Sequence, residues 1–239
     1  REHPHAEEVL ATRSAAEVEA LEACAVPELV TPEVAEGVAG VADGRAWLGA
    51  VREDLAVLVR PVDRDALRWH DLFRDVLLER LRRDPDRWRD AHRRAADVVD
   101  SWEEQVDHLL EAGDHAAAAA RLGAVAREVF PRVGPLGRVQ ARLPRLDPEV
   151  VDDHPWLHVV DGMVAAQRGD HERGRRLLET WYPRLPDDDV LGRWGAARYL
   201  MMVGDDVPGW TGEVQRLESV AGFDHLPAAV RTEHHVALA

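Results

Sequence analysis

The chain has 239 residues, 46% hydrophobic and 31% charged, which is enough for one large or two small globular domains. Its formal net charge of −15 argues against holding DNA by phosphate neutralisation. All 30 basic residues are Arg, which excludes a Walker-type phosphate loop and Schiff-base chemistry. No apolar run approaches the roughly 20 residues that span a bilayer, and a lone Cys24 suits a reducing compartment, so we expect a cytoplasmic protein with no membrane segment. Because Arg1 rather than Met opens the chain, we also expect a piece of a longer protein.

Capping signals divide the first part of the chain into three short helices. Ser14 and Glu17 have the spacing of a capping box, which opens a helix through about residue 25. Thr31, followed by a proline, caps a second helix to about residue 40, and Asp43 caps a third through Asp54. The third helix is predicted to bury three side chains: Trp47, Leu48 and Val51.

A β-hairpin and a longer helix come next. A short β-branched run at residues 56–60, then a proline and an acidic turn, and then residues 66–69 predict two antiparallel strands. After His70 a helix runs to about residue 81, with apolar residues at three- and four-residue spacing: Leu72, Phe73, Val76, Leu77 and Leu81. Three helices, a hairpin and a closing helix predict a winged-helix domain over residues 1–83.

A winged helix often reads DNA through one helix in the major groove. The candidate recognition helix here, residues 44–54, carries Arg45 and Arg52 against Glu53 and Asp54. That charge balance favours a packing or regulatory role. We therefore expect no direct nucleic-acid binding by this chain.

Residues 84–239 read as paired helices. Asp84 and the following proline open a helix that is predicted to reach about Trp102. Gly-Asp pairs at Gly113, Gly169 and Gly204 then separate further helices, with each glycine in a left-handed cap and each aspartate as the next N-cap.

The spacing of these pairs predicts repeats. The interval from Gly169 to Gly204 is close to the roughly 34-residue period of tetratricopeptide-like hairpins. A further helix is expected to begin within residues 226–239. The predicted fold class is therefore mostly α: a winged-helix domain with a short β-hairpin, followed by an α-solenoid of tetratricopeptide-like helical hairpins.

The histidines do not form a recognisable metal motif. His3 with His5 and His234 with His235 lie near the two ends, and His154 is placed before its helix by the proline that follows it. No nucleophile elbow or metalloprotease motif occurs either. We expect neither a metal site nor an enzyme.

Eight tryptophans stand out in a chain with two Tyr and three Phe. Trp181, Trp194 and Trp210 fall in successive repeats. At helical spacing tryptophans are commonly packing residues, but on an inner surface these three would hold a ligand. Both interpretations remain open for them.

Three separated runs carry a likeness to a known family. They are Arg68-Trp-His-Asp-Leu-Phe-Arg74, Ala91-His-Arg-Arg-Ala-Ala96, and Gln105-Val-Asp-His-Leu109 with Glu111-Ala-Gly-Asp114. In order and spacing they resemble the MalT-like large LuxR-type transcriptional regulators, over about residues 10–180.

The resemblance implies a signal-transduction ATPase with numerous domains: an upstream nucleotide-binding domain, a winged helix, a helical-repeat sensor and a C-terminal LuxR helix-turn-helix. ATP or ADP would be the cofactor of the parent protein, with none in this chain. The implied partners are the upstream nucleotide-binding domain and an inducer, either a small molecule or a regulatory protein. In related switch ATPases a winged-helix histidine contacts the β-phosphate of ADP, and its place in the Trp-His-Asp-Leu-Phe run makes His70 the candidate. The alternative is that His70 only caps or packs the strand-to-helix corner.

Two functions stay open. The first is a signal-sensing, autoinhibitory segment of a multidomain transcriptional activator. The second is a helical-repeat protein-interaction scaffold without a nucleotide switch, of the kind that is also appended to signalling proteins such as kinases.

Overall fold

The computed structural model describes residues 4–129 and 133–221. Within these residues, many helices begin at a short-range capping contact. Over these residues the chain is mostly helical, with one two-stranded antiparallel sheet, β1 (Val59–Pro61) and β2 (Leu67–Trp69). The helices are α1 (Pro4–Ala11), α2 (Ala15–Cys24), α3 (Pro32–Ala39), α4 (Gly44–Asp54), α5 (Asp71–Arg82), α6 (Pro85–Val98), α7 (Trp102–Glu111), α8 (His115–Val129), α9 (Val133–Gln140), α10 (Pro148–Asp152), α11 (Pro155–Gln167), α12 (His171–Trp181), α13 (Val190–Val203) and α14 (Val207–Ala221). Two compact units result, Arg1–Asp114 and His115–Ala239.

The predicted starts of the first helices are confirmed. Both bonds of the capping box between Ser14 and Glu17 are present at α2. Thr31 accepts a hydrogen bond from a backbone N–H at the start of α3, and Asp43 does the same for α4. Side-chain oxygens therefore satisfy N–H groups that a helix leaves without internal partners. In α4, Leu48 and Val51 are buried as predicted, whereas Trp47 is only half-buried.

The hairpin is confirmed, but its first strand begins later than predicted. Leu58 donates its N–H to the carbonyl of Leu55 at 2.8 Å, and this turn after α4 delays the strand until Val59. Val57, predicted within the strand, is 86% exposed. A single bridge between Val30 and Leu67 adds the chain before α3 to the edge of the hairpin.

The core of the first unit gathers side chains from α1 to α6 and the hairpin, and α5 closes it. Its buried face consists of Phe73, Val76, Leu77, Leu78 and Leu81. Leu72 was predicted on this face and is instead 53% exposed, because it lies about 140° around the helix from Leu77, the centre of the buried face.

The helix α6 ends at Val98, four residues before the predicted end. Val99 takes an extended conformation, and Ser101 then caps α7 as a separate helix. Ala91 and Ala95 of α6 belong to the same core as α2 and α5. The first compact unit thus continues past residue 83 to Asp114, and the division into domains at 1–83 and 84–239 stays a prediction.

In the second unit α11 packs on α12, and α13 packs on α14. Gly162 of α11 lies directly against Gly174 and Leu178 of α12, so two small residues let these neighbouring helices approach closely. Gly113 and Gly169 adopt the predicted left-handed conformation, with φ of 73° and 86°.

The prediction for Gly204 is wrong, since its φ is −83° and its backbone is extended. A Cβ there would collide with the carbonyl of Leu200 and meet the Trp210 ring. Space, rather than backbone handedness, is what requires glycine at this position. The helix expected within residues 226–239 lies outside the described residues.

Candidate functional site

The corner between β2 and α5 fixes the backbone of His70 from both sides. Its N–H donates to the carbonyl of Leu58 at 2.8 Å, and its carbonyl accepts from Phe73 and Arg74 in the first turn of α5, both at 2.9 Å. The residue is the N-cap of α5, yet its imidazole makes no capping hydrogen bond. The half-buried ring is therefore not used to hold the helix.

The hairpin register brings two arginines side by side next to this corner. Arg60 of β1 pairs directly with Arg68 of β2, and Val59 pairs with Trp69. Because side chains alternate across a strand, Val59 and Trp69 enter the core while both arginines are exposed. Like charges directly opposite in a sheet are destabilising, so this pairing has a cost in stability.

His70 contacts one of the two arginines, Arg60. Its Nε2 lies 3.3 Å from Nη2 of Arg60, whose guanidinium also lies 3.8 Å from the carboxylate of Asp71. A guanidinium only donates hydrogen bonds, so Nε2 accepts in this arrangement and the proton of a neutral imidazole sits on Nδ1. Arg60, Arg68 and His70 form what we call the corner cluster.

One acidic residue of α7, Glu104, interacts electrostatically with Arg68 of the corner cluster. The pKa of the Glu104 carboxyl is raised, first by burial and next by the negative charge of Glu28, while Arg68 and Arg74 oppose that rise. Arg68 thus already interacts with a carboxylate. The other arginine of the corner cluster, Arg60, lies beside the exposed carboxylate of Asp71.

The basic side chains of α4 are used elsewhere. Arg45 pairs with Asp65 in the β1–β2 loop. Arg52 donates to the backbone carbonyls of Arg64, Asp63 and Ala66 in the same loop, the last two at 3.0 Å. Both guanidinium groups of the candidate recognition helix therefore hold the loop of the hairpin in place.

Packing contacts surround the three tryptophans for which packing and ligand binding were both left open. Trp181 is 8% exposed, with the His158 ring stacked 3.7 Å away and the Arg184 guanidinium 4.2 Å from its centroid. Trp194 is 4% exposed, and its indole N–H donates to Glu218 at 3.1 Å. The half-buried Trp210 meets the Tyr182 ring edge-on. A ligand role for these three residues stays a prediction.

The arginines of the corner cluster were missed at the level of sequence. The signal was present, since Arg60 and Arg68 both lie in the predicted strands, but their pairing depends on a register that the sequence leaves open. His70 was singled out correctly as part of the strand-to-helix corner. Whether it touches a nucleotide remains a prediction.

Over the described part of the chain, no three His, Cys, Asp or Glu side chains converge as metal ligands would. His154 precedes α11, as predicted, and His158 binds Asp152 at 2.9 Å. The pairs near the ends, His3 with His5 and His234 with His235, lie outside the described side chains. No helix within residues 4–129 and 133–221 is long and apolar enough to cross a bilayer.

Comparison with known families gives one match, and it falls within the first unit. The family model of the MalT winged helix domain matches residues 6–89, which include α2 to α5 and both strands. No curated protein and no solved structure gives a significant match. The matched region contains the predicted helices, the hairpin and His70, and the match points to a MalT-like regulator. Residues 6–89 are therefore a MalT-like winged-helix region.

Proposed function

We propose that this chain is the signal-sensing and autoinhibitory segment of a multidomain, ATP-dependent LuxR-type transcriptional activator. The observation that carries the proposal is a MalT-type winged helix, residues 6–89, followed directly by packed helices. In this proposal the winged helix docks on an upstream nucleotide-binding domain, and the later helices accept an inducer, a small molecule or a protein. The protein would act in the cytoplasm and contact DNA through a C-terminal helix-turn-helix of the parent. This chain itself would catalyse no reaction.

The chemistry of the corner cluster supports a nucleotide switch. Arg60 and Arg68 carry permanent charge on the exposed face of the hairpin, and His70 lies within contact distance of Arg60. An anion bound at this corner would accept hydrogen bonds from the Arg60 guanidinium and lie next to His70. A phosphate group would fill that role, because charge-assisted hydrogen bonds to cations are worth roughly 1.5–3 kcal/mol each. Such a contact would bias a two-state equilibrium about ten- to a hundredfold.

The contacts of α4 favour a regulatory role of the winged helix rather than DNA binding through this helix. Arg45 and Arg52 are tied to the β1–β2 loop, so a helix in the major groove would have to give up those bonds. The same bonds fix the hairpin that presents the corner cluster. The helix thus serves the proposed docking surface.

Nucleotide retention by the purified parent protein tests the switch. The parent is purified without added nucleotide, denatured, and its released ADP is quantified by chromatography. We expect wild type to retain ADP and both His70→Ala and Arg60→Gln to lose most of it. Arg64→Gln, an exposed arginine in the loop of the same hairpin, is the matched control and is expected to retain ADP. Retention equal to wild type in His70→Ala would refute the contact.

The parent sequence offers a second test. A Walker loop upstream and a LuxR helix-turn-helix downstream are required by the proposal. If both are absent, the chain is better described as a helical-repeat interaction scaffold.

A further inference from the structure

The second unit contains a cavity of about 400 Å³ whose lining includes none of the three tryptophans considered above. One wall is a face of α8 made of small residues, Ala120, Gly123 and Ala124. The opposite side is formed by the start of α11 and by the turn after α12, including Trp156 and Leu185. Its volume falls within the range of roughly 300–1,000 Å³ that is typical of small-molecule sites.

Two guanidinium groups line the cavity of this otherwise acidic chain. Arg127, Arg184 and His154 line it, and Asp153 is its one acidic lining residue. The chain as a whole has a formal net charge of −15. Guanidinium groups in a concave site attract anions, because low-dielectric walls focus the field of the charges that line the site.

The two arginines are held at the rim by neighbouring groups. Arg127 has its Nε 3.5 Å from the carboxylate of Asp189, and its side chain is 56% exposed. Arg184 lies over the Trp181 ring, with its guanidinium carbon 4.2 Å from the ring centroid. Guanidinium groups placed in advance lose less conformational entropy when they bind a carboxylate or phosphate.

Trp156 gives the cavity a fixed apolar wall. The ring is 3% exposed, and its indole N–H donates to Asp189. The other oxygen of Asp189 caps α13 by accepting from the N–H of Gly192 at 3.1 Å. Gly192 lies so close to the Trp156 ring that a Cβ would collide with it. One carboxylate therefore orients both the cationic Arg127 and the aromatic wall.

We propose that this cavity binds a small organic anion, with its carboxylate or phosphate between Arg127 and Arg184 and its apolar body against Trp156 and the small-residue face of α8. Gly123 leaves room for that body, since a Cβ at this position would meet nothing within 4 Å. That the ligand is the signal rests on the proposed sensing function. The binding itself is independent of the proposed function, because it depends only on cavity residues in the second unit of this chain.

Calorimetric titration of the chain of residues 1–239 tests the site with three matched probes: 1-naphthoate, 1-naphthyl phosphate and the neutral 1-naphthamide. We expect at least one anion to bind and the amide to bind about tenfold more weakly or not at all, because it lacks charge for the arginines. Binding of only the carboxylate or only the phosphate supports the site and identifies the anion class. Equal binding of the amide, or no binding of either anion, would overturn the proposal.

Variants locate the binding. Arg127→Gln and Arg184→Gln are each expected to weaken the anion about tenfold, and Gly123→Leu should block it by filling the space. Arg176→Gln, an exposed arginine of α12 outside the cavity, is the control and should bind like wild type. Circular dichroism tests whether Gly123→Leu is folded. If this variant does not fold, the two arginine variants alone decide whether the anion binds in the cavity. Wild-type affinity in both arginine variants would place the anion elsewhere and refute the site. An anion that binds here but leaves transcription by the parent protein unchanged would refute its role as the signal, not the site.

Discussion

The Nδ1 atoms of His92 and His108 lie 3.1 Å apart in the interior of the first unit, where they connect α6 to α7. The side chains are 5% and 9% exposed, and their rings meet edge-on. At this distance one Nδ1 must carry a proton and the other must accept it, so two imidazolium ions cannot face each other here. Among the described residues, neither buried Nε2 has a hydrogen-bond partner that would stabilise a charge.

Burial is the first cause that lowers the pKa of both histidines. For His92 the next causes are His108, Arg82 and Arg74. For His108 the neighbouring Asp107 opposes the effect of burial, and Arg74 adds to it. Both groups thus remain neutral in the folded protein at pH values where a histidine in the unfolded chain, with a pKa of about 6.5, takes up a proton.

The first prediction is a loss of stability in mild acid. Below pH ~6.5 the unfolded chain binds more protons than the folded one, so the free energy of unfolding decreases as the pH falls from 8 to about 5. Urea unfolding across that range measures it, and comparison with a double variant separates the two histidines from the carboxylates that begin to take up protons near pH 5. His92→Leu combined with His108→Leu should flatten the profile, whereas the exposed His171→Gln should leave it steep. The same slope in the double variant and the wild type would disprove this origin.

The second prediction concerns Glu22, a carboxylate that joins three helices. Its side chain is 4% exposed and accepts from Arg80 of α5 at 3.0 Å and from Arg87 of α6 at 2.8 Å. Glu22→Gln removes the buried counter-charge of Arg87 and leaves Arg80 with the more exposed Glu7, 3.0 Å away, so we expect unfolding to become easier by about 2–3 kcal/mol. Glu79→Gln removes an exposed i,i+4 pair with Arg83 and should cost less than about 0.5 kcal/mol. Chemical denaturation measures both, and similar costs would contradict the prediction.

The third prediction compares two glycines of the same helix, α4. A Cβ on Gly44 would collide with the backbone carbonyl of Pro32, so Gly44→Ala must push α4 away from α3. We expect it to destabilise by about 2–3 kcal/mol. Gly49→Ala meets nothing within 4 Å and should stabilise by roughly 0.5–1 kcal/mol, because alanine loses less backbone entropy in a helix. Thermal unfolding tests the pair, and changes of the same sign would show that the α3–α4 contact is looser than described.

The fourth prediction uses Cys24 as a reporter of opening. The thiol is 0% exposed, and burial raises its pKa to about 12. At pH 8 it then has on the order of a thousandfold less thiolate than an exposed cysteine, and the thiolate is the reactive form. Labelling with Ellman's reagent should therefore be slow in the folded chain and fast in urea. A chain with Cys24→Ala and Met202→Cys, whose new thiol is exposed, should react at once. Rapid labelling of native Cys24 would mean that α2 opens readily.

Local chemistry is the part of this fold that could be read in advance. The starts of α2, α3, α4 and α6 depend on a capping side chain two or three residues from the N–H it satisfies, and such contacts are visible in a run of four letters. The left-handed glycine at the end of α11 is equally local. Where the local signal was ambiguous the prediction was wrong, as for the end of α6 and the exposed side of Leu72.

The candidate site also combines a residue that the sequence indicated with contacts that it did not. The Trp-His-Asp-Leu-Phe run was enough to select His70, but the register that places Arg60 opposite Arg68 is a contact between separate strands. The loop contacts of Arg45 and Arg52 could not be read from the near-neutral composition of α4.

Contacts between distant residues were decided by the tertiary structure alone. Glu22 and Arg87 are 65 residues apart, and His92 meets His108 only because α6 and α7 pack face to face. The cavity between α8, α11 and the turn after α12 has no sequence signal at all, since small residues and scattered arginines are common on helices. The sequence by itself determined where helices begin, because capping energies act within one turn. Only the packed structure decided which charges and rings share a buried space, because those energies depend on distances that close when the chain folds.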